Sequence, residues 1–460
     1  MIKNGIVALF VVFILFFLKS HGQELPARDE EPVTRLTLKM AIERAMQQNL
    51  NLKQSSNQVR SSALNFSQRK NNFWPDLRAS LSASQRFDRQ YDALADRTSG
   101  HDARSLSAGI QSSLNLFNGF ADVAALQKAR YNLDAVEFNF QRQKEFFIYQ
   151  TIAAFLGVVE DAELIDIEKE NMAAQRNQLQ RIEEFHKRGK RPISDLLQQR
   201  ADIAEAELRL LNAERNYEIS RLSLLEIMAD SPERDYALIA PGNEIMEAIT
   251  AAVDDGVFAF EQRSDWLAQE RQIAIANQSI KEAMADFWPA VGLNLSLGSG
   301  YNSDRESLNF SRQFNEINPS ASVGLSFSIP LFDRWRTQTD IQLAKIQVDN
   351  AQIELQKLKL AISLEIQEAL LNYQTAVKQK QTALARFDFA RQTLDVMEAR
   401  YNVGSATYVE LSQIRANHLR SAYEYVQAGY NVLLRRVALS YARGTIEIIL
   451  SELHIMENQE

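Results

Sequence analysis

The sequence predicts a mixed α/β membrane protein, with two β-hairpins set between long helices. The first observation is that the stretches 77–117 and 291–332 alternate apolar and small polar residues with a period of two. The second is that 460 residues contain only 9 prolines and 16 glycines, which favours very long helices. Because a membrane barrel needs at least about eight strands, four strands per chain must be pooled between copies.

The N-terminus predicts a cleavable signal peptide over residues 1–22. Lys3 precedes an apolar run from Ile6 to Leu18, and Ser20 to Gly22 supply small residues at a cleavage site. That run spans roughly 20 Å as a helix, less than the ~30 Å hydrocarbon core. Residues 23–35 are predicted to form a flexible lead-in. No other stretch is long and apolar enough for a membrane helix, so the strands must cross the membrane.

Composition and motifs argue against an enzyme. The chain has no cysteine and a formal charge of −8, which excludes disulfides, thiolate metal sites and a lipid-bearing cysteine, and disfavours nucleic acid as a partner. A phosphate-binding loop and a His-Glu-x-x-His zinc motif are both absent from the sequence. We therefore predict no catalytic, metal or cofactor site. The five histidines are scattered: His21, His101, His186, His418 and His454.

The chain is an internal duplication. Phe73-Trp74-Pro75 recurs as Phe287-Trp288-Pro289, an offset of 287 − 73 = 214, and Gly189 matches Gly404 at 404 − 189 = 215. This spacing divides the chain into a first repeat, 36–240, a second repeat, 241–445, and a C-terminal tail, 446–460. Each repeat is predicted as helix, strand, polar loop, strand, long helix, tight turn and returning helix.

The hairpins are predicted over 76–118 and 290–332. Their apolar faces include Leu81 and Leu295, while their other faces carry Ser, Gly and Asn. This apolar-out, polar-in alternation is typical of transmembrane strands. The polar segments 88–103 and 302–319 are predicted as loops at one rim of the barrel.

The helices after the hairpins carry coiled-coil spacing. Residues 121–188 contain no proline and would span roughly 100 Å as one helix. Apolar residues recur at intervals of three, four and seven: Leu126, Ala129, Leu133, Val136 and Phe140 in the first repeat, and Leu343, Ile346, Ile353, Leu360, Leu364 and Leu371 in the second. A coiled-coil scaffold or secreted adhesin, the alternative of another class, fits these helices but not the amphipathic hairpins.

The two helix-reversing turns resemble those of the TolC family of outer-membrane efflux proteins. The resemblance rests on the segment from Arg400 through Gly404 to Leu411, on the matching segment from His186 to Leu197, and on the spacing of Ala41, Ala45, Asn49 and Leu52. It covers essentially the whole mature chain, including the duplication and both hairpins.

The resemblance implies a homotrimer with a 12-stranded outer-membrane β-barrel continued by a long α-helical coiled-coil barrel in the periplasm of a Gram-negative cell. It implies transport through a passive exit channel of a tripartite efflux system. The partners would be a periplasmic adaptor, a proton-driven or ATPase inner-membrane pump, and outer-membrane lipid. Type I protein secretion and metal-ion efflux stay open as alternatives for the cargo.

The resemblance also assigns site residues. It places a periplasmic gate at Asp195, Tyr401, Glu410 and Gln413, and adaptor-contacting tips at Gly189, Pro192, Ser194, Arg400, Gly404 and Ser405. We expect the Tyr401 hydroxyl to hydrogen-bond to Asp195, and Glu410 side chains from several copies to ring the entrance. The chain departs from the best-known members, which carry Arg at the place of Ala406 and a second carboxylate at the place of Gln413.

Overall fold

A computed structural model describes residues 34–92, 97–240, 260–303 and 309–446. The predicted signal peptide, nearly all of the lead-in and nearly all of the tail lie outside the described residues, as does the start of the second repeat.

The described helices are α1 to α7 in chain order, and each repeat contains one of 67 residues. Their bounds are α1 Leu38–Gln48, α2 Leu50–Asn71, α3 Ala121–Lys187, α4 Ile193–Met228, α5 Ser264–Met284, α6 Arg336–Asn402 and α7 Tyr408–Arg443. None of these helices is long and apolar enough over any stretch to cross a membrane.

The strands form two sheets. Their bounds are β1 Thr34–Leu36, β2 Arg78–Asp92, β3 Arg97–Asn118, β4 Tyr236–Leu238, β5 Ala290–Asn302 and β6 Ser320–Ser328. β1 pairs with β4 in parallel, and the larger sheet has the antiparallel order β2-β3-β5-β6. The larger sheet therefore has two open edges, β2 and β6.

The helix ends reproduce the duplication. The long helix and the returning helix begin at Ala121 and Ile193 in the first repeat, and at Arg336 and Tyr408 in the second. The differences are 336 − 121 = 215 and 408 − 193 = 215, so the offset predicted from the sequence motifs holds for the backbone.

The structure contains both β-hairpins, but the segments at their far ends differ from the prediction. The segment 88–103 is not a long loop, since β2 continues to Asp92 and β3 starts at Arg97. Antiparallel pairing satisfies the backbone hydrogen bonds of a segment whether its side chains are polar or apolar. The segment 302–319 contains a helical turn, Phe310–Arg312, that continues as a short π-helix, Gln313–Ile317. We call residues 310–317 the rim helix. β6 ends at Ser328, two residues before Pro330, which has no N–H to donate.

The two faces of the larger sheet are chemically distinct. Serine hydroxyls pair across the strands at 2.7 Å, Ser82 with Ser107 and Ser296 with Ser322. The opposite face exposes apolar side chains, which are Leu77, Leu81, Ile110, Leu295, Leu297, Val323, Leu325 and Phe327. This matches the predicted assignment of apolar and polar faces.

In the helical part of the chain, α3 and α7 are central. α4 packs on α3, α6 packs on α7, and α3 packs on α7; nearer the sheet, α2 and α5 pack on α3, and α5 also packs on α6. The largest core cluster joins α1, α3, α4, α7 and the β1–β4 pair, around Phe155, Leu225 and Val437. The predicted coiled-coil positions of α6, from Leu343 to Leu371, are exposed on the single chain rather than packed within it.

Each hairpin enters its long helix through two left-handed residues. These are Gly119 and Phe120 in the first repeat, and Arg334 and Trp335, 215 positions later, in the second. Gly119 also packs closely against the backbone of Ala285, because a Cβ atom added at position 119 would lie 2.3 Å from the Ala285 carbonyl oxygen. Glycine is therefore required at 119 by space as well as by backbone conformation.

We expect Gly119→Ala to lower the free energy of unfolding by about 2–4 kcal/mol, since it adds overpacking to left-handed strain. Gly189→Ala is the matched control. Gly189 has φ +71° with nothing within 4 Å of its Cβ position, so only about 1–2 kcal/mol of backbone strain applies. Thermal unfolding of the purified protein in detergent measures both, and equal losses would contradict the close approach at 119.

Candidate functional site

Helices α3 and α4 form one helical hairpin, and α6 and α7 form the other. Both helical hairpins have the same kind of turn at their tips. Gly189 and Gly404 have φ values of +71° and +81°. In the first tip Lys190 N donates to Phe185 O at 2.8 Å, and in the second Ser405 N donates to Arg400 O at 2.9 Å. These bonds, with Gly in the left-handed conformation, form a Schellman motif, which satisfies the last carbonyls of α3 and α6. A tight turn therefore lies at each glycine.

The returning helices begin differently. Thr407 and Glu410 form a capping box on α7, in which Thr407 N donates to Glu410 Oε2 at 2.7 Å. Hydrogen bonds from the Thr407 backbone and hydroxyl hold the pKa of Glu410 below its usual value. At α4 the N-cap is Pro192, which supplies no side-chain cap. In the single chain Glu410 is thus an ionised capping residue, and its predicted role in a ring of carboxylates stays a prediction.

The predicted hydrogen bond between Tyr401 and Asp195 is absent. Tyr401 is 2% exposed and packs with Ile182, Leu196 and Leu411, and its hydroxyl has no partner of acceptable geometry among the described residues. Asp195 instead lies 3.9 Å from Arg191. The apolar neighbours hold the phenol in the core of the tip, and burial raises the pKa of Tyr401.

Arg191 joins the two hairpins at the place where Tyr401 was expected to act. Its guanidinium lies 4.1 Å from the centre of the Tyr401 ring, and its Nη2 donates to the Tyr401 carbonyl oxygen at 2.9 Å. The first contact is a cation–π interaction, which is stronger for a guanidinium that is partly shielded from water. A cation from the first hairpin therefore holds the second hairpin, and it is supplied by Arg191 rather than by position 406, which is an alanine.

A second polar contact between the hairpins lies one turn above the tips. The Tyr408 hydroxyl donates to Asp202 Oδ2 at 2.6 Å, and the Ser412 hydroxyl donates to the same oxygen at 2.8 Å. Gln199, which is fully buried, lies 2.8 Å from the Tyr408 hydroxyl and donates to Gln175 of α3. Burial and the neighbouring Asp202 carboxylate raise the pKa of Tyr408, so the phenol stays a donor.

A polar groove of about 510 Å³ continues from this network between α3, α4 and α7. Its wall contains Glu168, which is fully buried and accepts from the Tyr423 hydroxyl at 2.8 Å and lies 3.3 Å from Arg209 Nε. The buried Glu168 is thus paired with a hydrogen-bond donor and a cation, as buried carboxylates generally are. The described residues include no group of side chains arranged to hold a metal ion.

Glu160, on α3, gives the helical region a pH dependence. Burial, together with the nearby Asp161 and Glu163 carboxylates, raises its pKa to about 7 from 4.5. A raised pKa means that the neutral acid stabilises the fold below about pH 4.5, and that this stability is lost as pH rises through 7.

We therefore expect Glu160→Gln to unfold at the same temperature as the parent at pH 4.5 and at a higher temperature at pH 8. The difference at pH 8 is at most about 3 kcal/mol. Glu184→Gln, at an exposed position on the same helix, is the control. A parent and Glu160→Gln that respond identically to pH would contradict the assignment.

The predicted site residues are thus divided between surface and core. The six tip residues Gly189, Pro192, Ser194, Arg400, Gly404 and Ser405 are exposed, as are Glu410 and Gln413. Asp195 is half-buried and Tyr401 is buried. Sequence reasoning missed Arg191, Gln199, Asp202, Tyr408 and Ser412. The sequence indicates these residues only weakly, because none of them has an identical residue 215 positions away in the other repeat. They meet only when the two helical hairpins pack together.

Comparison with known proteins identifies the family. The outer membrane efflux protein family matches residues 41–230 and 259–445. The outer membrane efflux protein BepC of Brucella suis is 21% identical over 411 residues, covering 89% of this chain and 85% of BepC. The outer membrane protein TolC of Escherichia coli is 20% identical over 368 residues, covering 75% of this chain and 71% of TolC.

Solved structures share the fold. A crystal structure of CusC superposes with a TM-score of 0.77 at 16% identity, covering 90% of this chain and 93% of CusC. The outer-membrane channel CmeC of Campylobacter jejuni gives a TM-score of 0.74 at 17% identity, covering 93% and 94%. With the family match over most of its length, the duplicated hairpins and the paired tips, this chain belongs to the TolC family of outer membrane efflux proteins.

Proposed function

We propose that three copies of this chain close head to tail into one continuous duct. The observation that carries the proposal is the larger sheet, whose edge strands β2 and β6 are unpaired in the single chain. Unpaired strand edges are not tolerated in a bilayer, so β6 of one copy pairs with β2 of the next. Three copies give 3 × 4 = 12 strands, enough for a barrel with an aqueous interior.

The helices support the same arrangement. α6 exposes apolar residues along its whole length: Leu343, Ile346, Ile353, Leu360, Leu364, Leu371, Leu384, Phe389 and Val396. α4 exposes a second set, Leu197, Leu208, Leu211, Ile219 and Leu222, and α2 exposes Leu50 and Leu64. Because α6 and α4 flank the central pair α3 and α7, two different apolar surfaces face outward. Two different surfaces that complement each other form a ring rather than a two-fold dimer.

Within α4 the exposed residues keep an 11-residue interval, since 208 − 197 = 11 and 219 − 208 = 11. An 11-residue repeat has about 3.67 residues per turn, which keeps a stripe on one side of a nearly straight helix. We propose that this stripe packs against the half of α6 nearer the tip at Gly404 in the neighbouring copy. We propose that α2 packs against the half of α6 nearer the sheet.

The duct carries cargo passively from the periplasm to the exterior. We propose that the exposed tips around Gly189 and Gly404 dock on a periplasmic adaptor, which links the duct to an inner-membrane pump. The contacts of Arg191 with Tyr401 and of Tyr408 with Asp202 hold the hairpins together in the closed state, and opening separates them. We propose that Asp195, Glu410 and Gln413, which follow the tip glycines by six to nine residues, line the entrance.

Small molecules are the proposed cargo. A relative of similar identity, OpmQ of Pseudomonas aeruginosa, is named for pyoverdine export and is 21% identical over 370 residues. Polypeptide export is the second candidate, because the alkaline protease secretion protein AprF of the same organism is 21% identical over 322 residues.

Native mass spectrometry of the detergent-purified protein, followed by single-channel recording in planar bilayers, tests the duct. We expect three chains per particle and one conducting pore per trimer. The double variant Leu360→Lys, Leu364→Lys should lose the trimer, while Gln352→Lys, at an exposed polar position about 80–120° around the same helix from both leucines, should keep it. A monomer or dimer without conductance would refute the proposal.

A further inference from the structure

The rim helix lies over the apolar face of β5 at the end of the strand farthest from the long helices. The Ser299 hydroxyl donates to the Phe314 carbonyl oxygen at 2.5 Å, and the Tyr301 and Phe310 rings are 5.4 Å apart. Ser299 and Tyr301 alternate in phase with Leu295 and Leu297, so they project from the apolar face. The rim helix is therefore on the outer side of the sheet and not on the serine-lined side.

Side-chain amides fix the rim helix to the strand. Gln313 is 0% exposed; its Oε1 accepts from Asn302 N and its Nε2 donates to Asn302 O, both at 3.0 Å. The Asn318 amide donates to Gly300 O at 2.5 Å. β6 pairs with β5 only as far as Gly298. Beyond that point these side-chain amides, rather than a neighbouring strand, form the hydrogen bonds with the backbone of β5. The position of the helix is thus built into the sheet edge.

The aromatic residues of this region form one continuous group. Phe310 stacks on Phe314 at 5.3 Å and meets Tyr301 edge to face. Phe310 is still 47% exposed and Ile317 43% exposed. On the same helix Arg312 and Glu316 are charged and largely exposed. The rim helix therefore presents rings and an aliphatic side chain beside charged groups, as elements at a membrane–water boundary do.

The height of the group along the strand agrees with such a boundary. Tyr301 lies 301 − 288 = 13 residues from Trp288, which precedes the first residue of β5 by two positions. Thirteen residues span about 43 Å along a strand, or about 33 Å along the membrane normal at a tilt of about 40°. This distance exceeds the height of an apolar band about 25 Å tall, which places Tyr301 at the outer margin of the band.

We propose that the rim helix is an interfacial element that contacts outer-leaflet lipid, with Phe310 and Ile317 at the boundary between hydrocarbon and head groups. The proposal rests on the proposed barrel, which turns the apolar face of the sheet outward. In the trimer it adds three lipid-facing aromatic clusters around the outer rim. The first repeat has no counterpart in its described residues, since β2 and β3 there continue as paired strands.

Site-directed spin labelling tests this directly, because the chain has no native cysteine. Phe310→Cys and Ile317→Cys carry the nitroxide in the full-length trimer reconstituted in phospholipid vesicles. Asn315→Cys, at an exposed polar position of the same helix, is the matched control, and Leu295→Cys reports the barrel wall. Accessibility to oxygen, which concentrates in lipid, is compared with accessibility to a water-soluble nickel chelate.

We expect the oxygen-to-nickel ratio at 310 and 317 to exceed that at 315 several-fold, and the ratio at 295 to be the highest. A lipid-accessible 295 with water-accessible 310 and 317 would overturn the interfacial helix alone. Protection of 310 and 317 from both reagents would also overturn it, because the rings would then be covered by protein. A label at 295 that is not lipid-accessible would overturn the proposed barrel instead.

Discussion

Tyr408→Phe is expected to raise the resting conductance of the reconstituted channel. The change removes only the hydroxyl that donates to Asp202 at 2.6 Å and leaves the ring packed against Tyr401. A hydrogen bond to a carboxylate contributes about 1.5–3 kcal/mol, so each copy should shift the equilibrium from closed to open by roughly tenfold or more. Asp202→Ala should shift it further, because Ser412 loses the same acceptor.

Tyr401→Phe is the matched control for this experiment. The Tyr401 hydroxyl makes no hydrogen bond of normal geometry in the described structure, so its removal should leave the conductance unchanged. Arg191→Ala, by contrast, removes both the cation–π contact and the bond to the Tyr401 carbonyl, and should also open the channel. Opening by Tyr401→Phe without opening by Tyr408→Phe would show that the closed trimer uses the contact first expected from the sequence.

Leu295→Lys is expected to prevent assembly of the folded trimer in the membrane. Leu295 lies midway between Trp288 and Tyr301 and projects from the apolar face, which places it near the bilayer midplane. A lysine on the lipid face at that depth costs about 2–4 kcal/mol per copy. Because every trimer carries three such positions, the yield of heat-resistant trimer in the outer-membrane fraction should fall sharply.

Ser296→Lys controls for the introduced charge at the next position of the same strand. Ser296 bonds to Ser322 across the polar face, so its replacement loses one exposed hydroxyl pair and places the ammonium group in the water-filled interior. The trimer should assemble, with weaker cation conductance. If the two lysine variants lose trimer equally, the assignment of lipid and lumen faces is wrong.

The sequence by itself determined the repeating architecture of this protein. The period-two alternation around Leu295 fixes which side chains share a face, since strand geometry leaves no other choice. Gly189 and Gly404 mark the turns because a left-handed residue must end each long helix there. The shared offset of 215 then predicts both repeats, and the described helix ends follow it. These features are local, so the order of residues along the chain is sufficient to specify them.

Only the tertiary structure decided which polar groups join the hairpins and which apolar groups stay uncovered. Tyr401, expected at the gate, is buried by Ile182 and Leu411, while Arg191 and Tyr408 make the contacts between hairpins. The leucines of α6 carry coiled-coil spacing, yet they are exposed on the single chain. Spacing shows that a side chain belongs to a helix face, but the partner of that face depends on how distant segments pack. Residues separated by about 200 positions meet at the tips, and no local pattern encodes which of them will pair.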